Sequence, residues 1–313
     1  MARILPGKLI FRDKCRTGDD PSAQNLEVEL RERVEAVVGQ RVVAVEEIAG
    51  AGGYTPALRR VAALADGSTV FVKAAVTDTT AAWIATEHAA YRALTGAPYL
   101  ASYLGGDEQV LVLEDLRSAW WPTPWRPGDI ELALALLDEV AATPVPSWVP
   151  AAQEMDVNLH HGWSTVADDP RPFLSLELCD ERWLAHAMPA LASAAERAPI
   201  EGDALLHFDF RSDNICIRDG RALLVDWNLL CRGNPMLDQA FFAESLTVEG
   251  GPPPWDLLPA APPGIVSVLA GFFAARAPGP PLPRSPRVRS MQLAQLRICL
   301  PWAARALGLP PPT

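Results

Sequence analysis

The stretch HFDFRSDNICIRDGRALLVDWNLL, residues 207–230, carries the pattern that decides how this chain is read. Within it His207, Asp209 and Asn214 stand in the order HxDxxxxN, and the apolar run at 223–225 ends on Asp226. Moving a phosphoryl group from a nucleotide to a hydroxyl needs a carboxylate that accepts the hydroxyl proton. It also needs hard oxygen ligands that hold Mg²⁺ against the phosphates. Asp209 suits the first task, and Asn214 and Asp226 suit the second. Residues 215–217 and 223–225 predict a hairpin that returns Asp226 to the side of Asn214. Loops of this kind also carry Asp and Asn purely as turn formers, so the reading needs support from elsewhere in the chain.

That support lies upstream. Three short runs rich in valine or alanine, 42–48, 57–64 and 69–75, are separated by Gly50, Gly52, Gly53 and then Asp66-Gly67, which predicts an antiparallel meander. Thr79 or Thr80 could cap a helix running through Trp83, Glu87, Tyr91 and Leu94 to Gly96. Lys73 ends the third strand and Glu87 falls inside that helix, so the two can pair as a phosphate-gripping lysine and its orienting acid. Taken singly, a strand lysine usually reads as a solvated edge charge and a helix glutamate as a solvated face. The order gives them weight: glycine-rich turn, strand lysine, helix glutamate, HxDxxxxN, aspartate. The glycines at 50–53 stay open between a loop whose N–H groups approach phosphates and a turn that needs no ligand.

Further along, residues 110–114 read as another strand. The composition then shifts to WWPTPWRPG at 120–128, and a helical pattern runs over 129–142. Amphipathic spacing marks a helix from Leu26 to Gly39, and the second part is mainly helical, with candidates at 176–197, 236–247, 264–276 and 288–306. The proline-rich runs 251–263 and 278–286 read as connectors.

The motifs GAGGYT (50–55), FVK (71–73), EHAAY (87–91), HFDFRSDN (207–214) and LVDW (224–227) resemble the aminoglycoside phosphotransferase family. The resemblance implies an α+β, bilobal, protein-kinase-like fold with ATP between a small β-rich lobe and a larger helical one. The expected division is a flexible arm at 1–27, a nucleotide-binding lobe at 28–116 and a catalytic, substrate-binding lobe at 117–313. By the same resemblance Asp209 is the base, with His207 orienting its loop. Asn214 and Asp226 are the magnesium ligands, Lys73 contacts the α- and β-phosphates with Glu87 as its partner, and Glu114 to Leu116 supply backbone groups to the adenine. Asp238 would tie the catalytic loop to the helical lobe, and it reads equally as a first-turn helix aspartate. Two departures stand out: Phe208 where the family often has glycine, and Asn228 where it often has an acid.

Composition bounds the partners. Thirty-eight acidic against 27 basic residues give a net charge of −11, which repels nucleic acid and anionic membranes and is compatible with a cationic substrate. The five cysteines (Cys15, Cys179, Cys216, Cys231, Cys299) never stand as CxxC, so neither a zinc site nor a disulfide framework is indicated, and a reducing cytoplasm fits. No stretch reads as a leader or a membrane span. His160-His161 lacks a third ligand nearby and reads as a loop pair. Trp120, Trp121 and Trp125 either pack the lobe junction or stack on a flat ligand. Only a short segment separates Asp226 from Asp238, which leaves no room for a long activation loop and favours small-molecule acceptors, with aminoglycosides, other antibiotics, choline and sugars among them. The rival reading is a non-catalytic nucleotide-binding or scaffolding protein that keeps the fold.

Overall fold

A computed structural model describes residues 21–48, 56–155, 159–282 and 285–312. The chain divides into two compact units. One comprises residues 1–119 together with the five-residue segment 225–229, and the other comprises 120–224 and 230–313.

In the first unit, helix α1 (Pro21–Val38) is followed by strands β1 (Val42–Glu47), β2 (Leu58–Leu64) and β3 (Thr69–Ala74), helix α2 (Asp78–Ala93), and strands β4 (Tyr103–Gly106) and β5 (Val110–Glu114). The strands form one antiparallel sheet in the order β1-β2-β3-β5-β4. The predicted meander is therefore the first three strands of a five-stranded sheet. β4 escapes sequence reading because Tyr-Leu-Gly-Gly carries no strand alternation. Its backbone nevertheless needs glycine: a Cβ on Gly106 would lie 2.3 Å from the Val110 carbonyl oxygen. Leu30 and Val34 of α1, one helical turn apart, bury against Val42, Leu64, Val70, Val72 and Val112 of the sheet. α1 begins at Pro21, earlier than the Leu26 expected from spacing.

α2 is capped two or three residues before the predicted Thr79 or Thr80. Thr77 is its N-cap, and the Thr77 and Thr80 side chains exchange hydrogen bonds with each other's backbone N–H as a capping box. Both threonines suit the cap chemically, and only the backbone shows which one holds the non-helical position.

In the second unit the elements are α3 (Asp129–Ala141), α4 (Gly162–Asp168), α5 (Arg171–Leu174), α6 (Glu181–Glu196), β6 (Ala204–Leu206), β7 (Ile215–Arg218), β8 (Arg221–Leu224), β9 (Cys231–Gly233), α7 (Met236–Val248), α8 (Pro254–Leu257), α9 (Pro263–Arg276) and α10 (Val288–Ala306). α9 buries residues around much of its circumference, including Ile265, Val266, Val268, Leu269, Phe273 and Ala274, as suits a helix at the centre of a core. α4 crosses it at a glycine pair, where a Cβ on Gly162 would meet the Gly271 carbonyl at 2.1 Å. Beside that crossing the Trp163 indole N–H donates to the Ser267 carbonyl at 2.8 Å. α6 starts at Glu181, with Asp180 accepting from the Trp183 N–H as its cap. The sequence pattern starts this helix at 176, five residues too early, because Asp180 sits inside an otherwise continuous run. No helix among the described residues is long and apolar enough to cross a membrane.

Candidate active site

In the first unit, Lys73 lies near the end of β3, and its strand neighbours Val72 and Ala74 are buried. Its own side chain is buried too, at 3% exposure, and not a solvated edge charge. The ammonium Nζ is 2.5 Å from Glu87 Oε2 and 2.6 Å from Asp226 Oδ1. Burial alone would lower the lysine, but Asp226 and then Glu87 outweigh it and hold Lys73 above its ordinary value. Burial pushes Glu87 up, with Lys73 drawing it back and Asp226 adding to the rise. A buried cation gripped by two carboxylates recovers its desolvation cost only through close geometry of this kind.

Asp226 adopts a left-handed backbone, φ +69°. Such conformations outside glycine are rare and persist only where the surroundings hold them. The next residue, Trp227, is fully buried and stacked on Tyr99 with ring centroids 5.7 Å apart. The second oxygen of Asp226 faces Arg59 Nη2 at 3.5 Å.

In the second unit, β6 pairs with β9 and delivers His207 directly after Leu206. His207 is fully buried, edge-on to Phe210. The Asp238 carboxylate accepts the backbone N–H of His207 at 2.7 Å and of Phe208 at 2.8 Å. The residue at the start of α7 thus clamps the backbone at 207–208, so it does more than favour the helix dipole. Phe208 has φ +66°, which accounts for a glycine preference at this place in the loop, and its ring is retained by packing on Phe241. Asp209 follows, with its Oδ1 2.9 Å from Arg211 Nε. Asn214 donates its amide N–H to the Asp209 carbonyl at 2.8 Å and to Asp209 Oδ2 at 3.2 Å. β7 begins immediately after Asn214, and β8 ends two residues before Asp226.

Burial raises Asp238 to about 7, the negative charge of Asp209 adding to the rise and the two backbone N–H groups opposing it. A carboxyl whose folded value lies above its ordinary 3.8 binds a proton more readily in the folded than in the unfolded chain. Its contribution to stability is therefore complete below pH 3.8 and is lost as pH rises through about 7. Asp238→Asn is expected to lose about 1–3 kcal/mol, because an amide offers one acceptor oxygen to two backbone donors. The variant should also lose the Asp238 part of the downward slope in stability between pH 4 and 7. Urea unfolding across that range reads both effects, and a variant as stable as wild type would remove the clamp.

The sequence model of the phosphotransferase enzyme family matches residues 52–280. The chain belongs to this family. Among solved structures, the choline kinase LicA from Streptococcus pneumoniae is similar at 13% identity with a TM-score of 0.57, covering 91% of this chain and 99% of that one. A choline/ethanolamine kinase family protein from Mesorhizobium loti is similar at 16% identity and TM-score 0.58, covering 90% and 98%. A thermostable mutant of aminoglycoside phosphotransferase APH(4)-Ia, in a ternary complex with ADP and hygromycin B, aligns at 13% identity and TM-score 0.57, covering 89% and 98%. These likenesses establish a kinase-like α+β fold for the phosphotransferase. A search of the curated proteins finds no match.

The other sequence candidates distribute as follows. Gly50, Gly52 and Gly53 lie outside the described residues, as do Cys15 and the first 20 residues. Glu114 ends β5 and turns its carboxylate onto the Ser102 N–H at 2.7 Å, while Leu116 is buried and its carbonyl accepts the Ala119 N–H at 3.0 Å. Trp120 exchanges two backbone hydrogen bonds with Ile217 and donates its indole N–H to Asp129 at 3.0 Å, so it extends the β7–β8 hairpin. Trp125 donates to Glu249 at 2.8 Å, and Glu249 also accepts the Ser212 hydroxyl. His160 bonds the Ala195 carbonyl through Nδ1 at 3.0 Å, as a loop histidine does.

Sequence reading missed Arg59, Arg211, Asp213 and Glu249. Arg211 stands two places from Asp209, and that position was its only signal. Asp213 likewise stands inside the motif, beside Asn214, whereas Arg59 and Glu249 become neighbours of these residues only through register and tertiary packing.

The residues present suit Mg²⁺. Asn214 directs its amide hydrogens at Asp209, which leaves Oδ1 as the oxygen it can offer a cation, and Asp226 is a carboxylate already surrounded by positive charge. Mg²⁺ characteristically takes one or two protein oxygens and completes its shell with water and phosphate, so each of these side chains is a donor of the kind it takes. Among the described residues no three His, Cys, Asp or Glu side chains gather as a metal site.

Proposed function

We propose that this phosphotransferase moves the γ-phosphoryl group of ATP onto a hydroxyl of a small molecule. The observation that carries the proposal is Lys73, buried and gripped between Glu87 and Asp226, on the same chain as an Asp209–Asn214 loop of matching chemistry. Lys73 and Glu87 form the pair that aims a cation at phosphate oxygens. Asp209 accepts the proton of the acceptor hydroxyl at its carboxylate, while Arg211 and Asn214 fix that carboxylate's orientation. Asn214 and Asp226 would hold Mg²⁺, which when bound neutralises charge on the phosphates. His207 and Asp238 position the loop that carries the base.

An acceptor bearing a positive charge is supported by Asp209 and Asp213. Their side chains are 33% and 47% exposed, and both lie against the mostly buried Arg211. The names of the similar structures, choline kinase and an aminoglycoside phosphotransferase with hygromycin B, agree with amino-alcohols and aminoglycoside antibiotics as the first acceptors to test.

ADP release should be measured with Mg·ATP across hydroxylated amines, aminoglycosides, other antibiotics and sugars. Acceptor-dependent release that saturates with one compound is the expected result. Mg·ATP binding with no acceptor ever stimulating release would favour a nucleotide-binding scaffold and overturn the proposal.

A further inference from the structure

We propose that Arg59 is a second phosphate-binding cation of the nucleotide site, held in reserve on Asp226 when no nucleotide is bound; this rests on the function proposed above.

In the antiparallel pairing of β2 with β3, Arg59 stands directly opposite Lys73. Cross-strand partners project from the same face of a sheet, and two like charges in that relation repel. The carboxylate of Asp226 lies between them, with Oδ1 2.6 Å from Lys73 Nζ and Oδ2 3.5 Å from Arg59 Nη2. With Glu87 on the far side of Lys73, two cations and two carboxylates form a neutral group.

If Asp226 held Mg²⁺, as proposed above, its carboxylate would no longer neutralise the two side chains beside it, and anionic phosphate would be the natural replacement. The two cations are not equivalent. Lys73 is sealed in, with a side chain 4% exposed, and keeps Glu87, whereas the Arg59 side chain is 15% exposed. Arg59 also lines a cleft of about 150 Å³ with Glu47, Pro56, Leu58, Arg60 and Val76. A planar guanidinium can meet two phosphate oxygens at once, which an ammonium cannot. The cleft side of the sheet therefore presents a phosphate-binding group one strand away from the family lysine.

The test compares wild type, Arg59→Gln and Arg59→Lys. Affinity for Mg·ADP is measured by calorimetry, and affinity for adenosine by displacement of a fluorescent ADP analogue. Arg59→Gln should weaken Mg·ADP about tenfold, the loss expected for a charge-assisted contact, and leave adenosine unchanged. Arg59→Lys should fall between the two. Mg·ADP affinity equal to or tighter than wild type in Arg59→Gln would show that the arginine only braces Asp226, and would overturn the inference while leaving the proposed function standing. An equal loss for ADP and adenosine would do the same, by pointing to general damage. Wild type that binds no nucleotide at all would overturn both readings together.

Discussion

Asp209→Asn is expected to cut phosphoryl transfer by a factor on the order of 10² or more with little change in nucleotide affinity. Asparagine keeps the size of the side chain and an acceptor oxygen for the Asn214 amide. It can neither take up a proton nor present a full charge to orient the acceptor hydroxyl. The nucleotide should be insensitive to the change, because the proposed phosphate contact Lys73 and the proposed metal ligand Asp226 are separate side chains. Calorimetry gives the binding term and ADP release with a competent acceptor gives the rate. Turnover at the wild-type rate would show that another group accepts the proton. Arg211 makes the fold of this variant worth checking, since its guanidinium would lose the charged partner at 2.9 Å and keep Asp213 at 3.1 Å.

Asp226→Ala is expected to abolish Mg²⁺-dependent transfer and, unlike Asp209→Asn, to weaken nucleotide binding only when Mg²⁺ is present. The carboxylate has two partners in the structure, Lys73 and Arg59, and alanine leaves both cations facing one another across adjacent strands with Glu87 as the only carboxylate of the group. Some loss of stability should accompany the loss of activity, on the scale of about 3 kcal/mol for breaking a buried ion pair, because one side of the pair stays charged and enclosed. Binding titrations with and without Mg²⁺ separate the metal effect from this structural one. Near-normal Mg²⁺-dependent activity would show that a different acid holds the metal.

Much of this site could be read from the chain because its chemistry is order-dependent. A lysine at a strand end, a glutamate one helix later and an HxDxxxxN loop are identifiable by residue type and sequence alone. What could not be read depends on register and backbone angle. Arg59 looks like any polar strand residue until pairing sets it opposite Lys73. Phe208 looks like an arbitrary departure until its φ of +66° shows a backbone that glycine adopts without strain, with the aromatic ring compensated by Phe241. Asp238 was balanced between two roles by sequence, and its two hydrogen bonds to the loop backbone decide between them. β4 and the start of α6 were misjudged for a shared reason: glycines in the one and a capping aspartate in the other interrupt or blur the periodicity on which such reading relies.

The first unit is written in two places, residues 1–119 and the five residues 225–229. The small piece is not decoration, since it brings the carboxylate that Lys73 grips and the indole that fills the space beside Tyr99. This unit is therefore not a portable cassette. A gene fragment stopping at residue 119 would encode a Tyr99 without its stacking indole and a lysine missing one of its two acids. A chimaera that borrowed 1–119 from a distant relative would join one lineage's lysine and glutamate to another lineage's aspartate and tryptophan. Recombination within such a family is then constrained to breakpoints that carry both pieces together, or to parents whose few residues around the aspartate are already interchangeable.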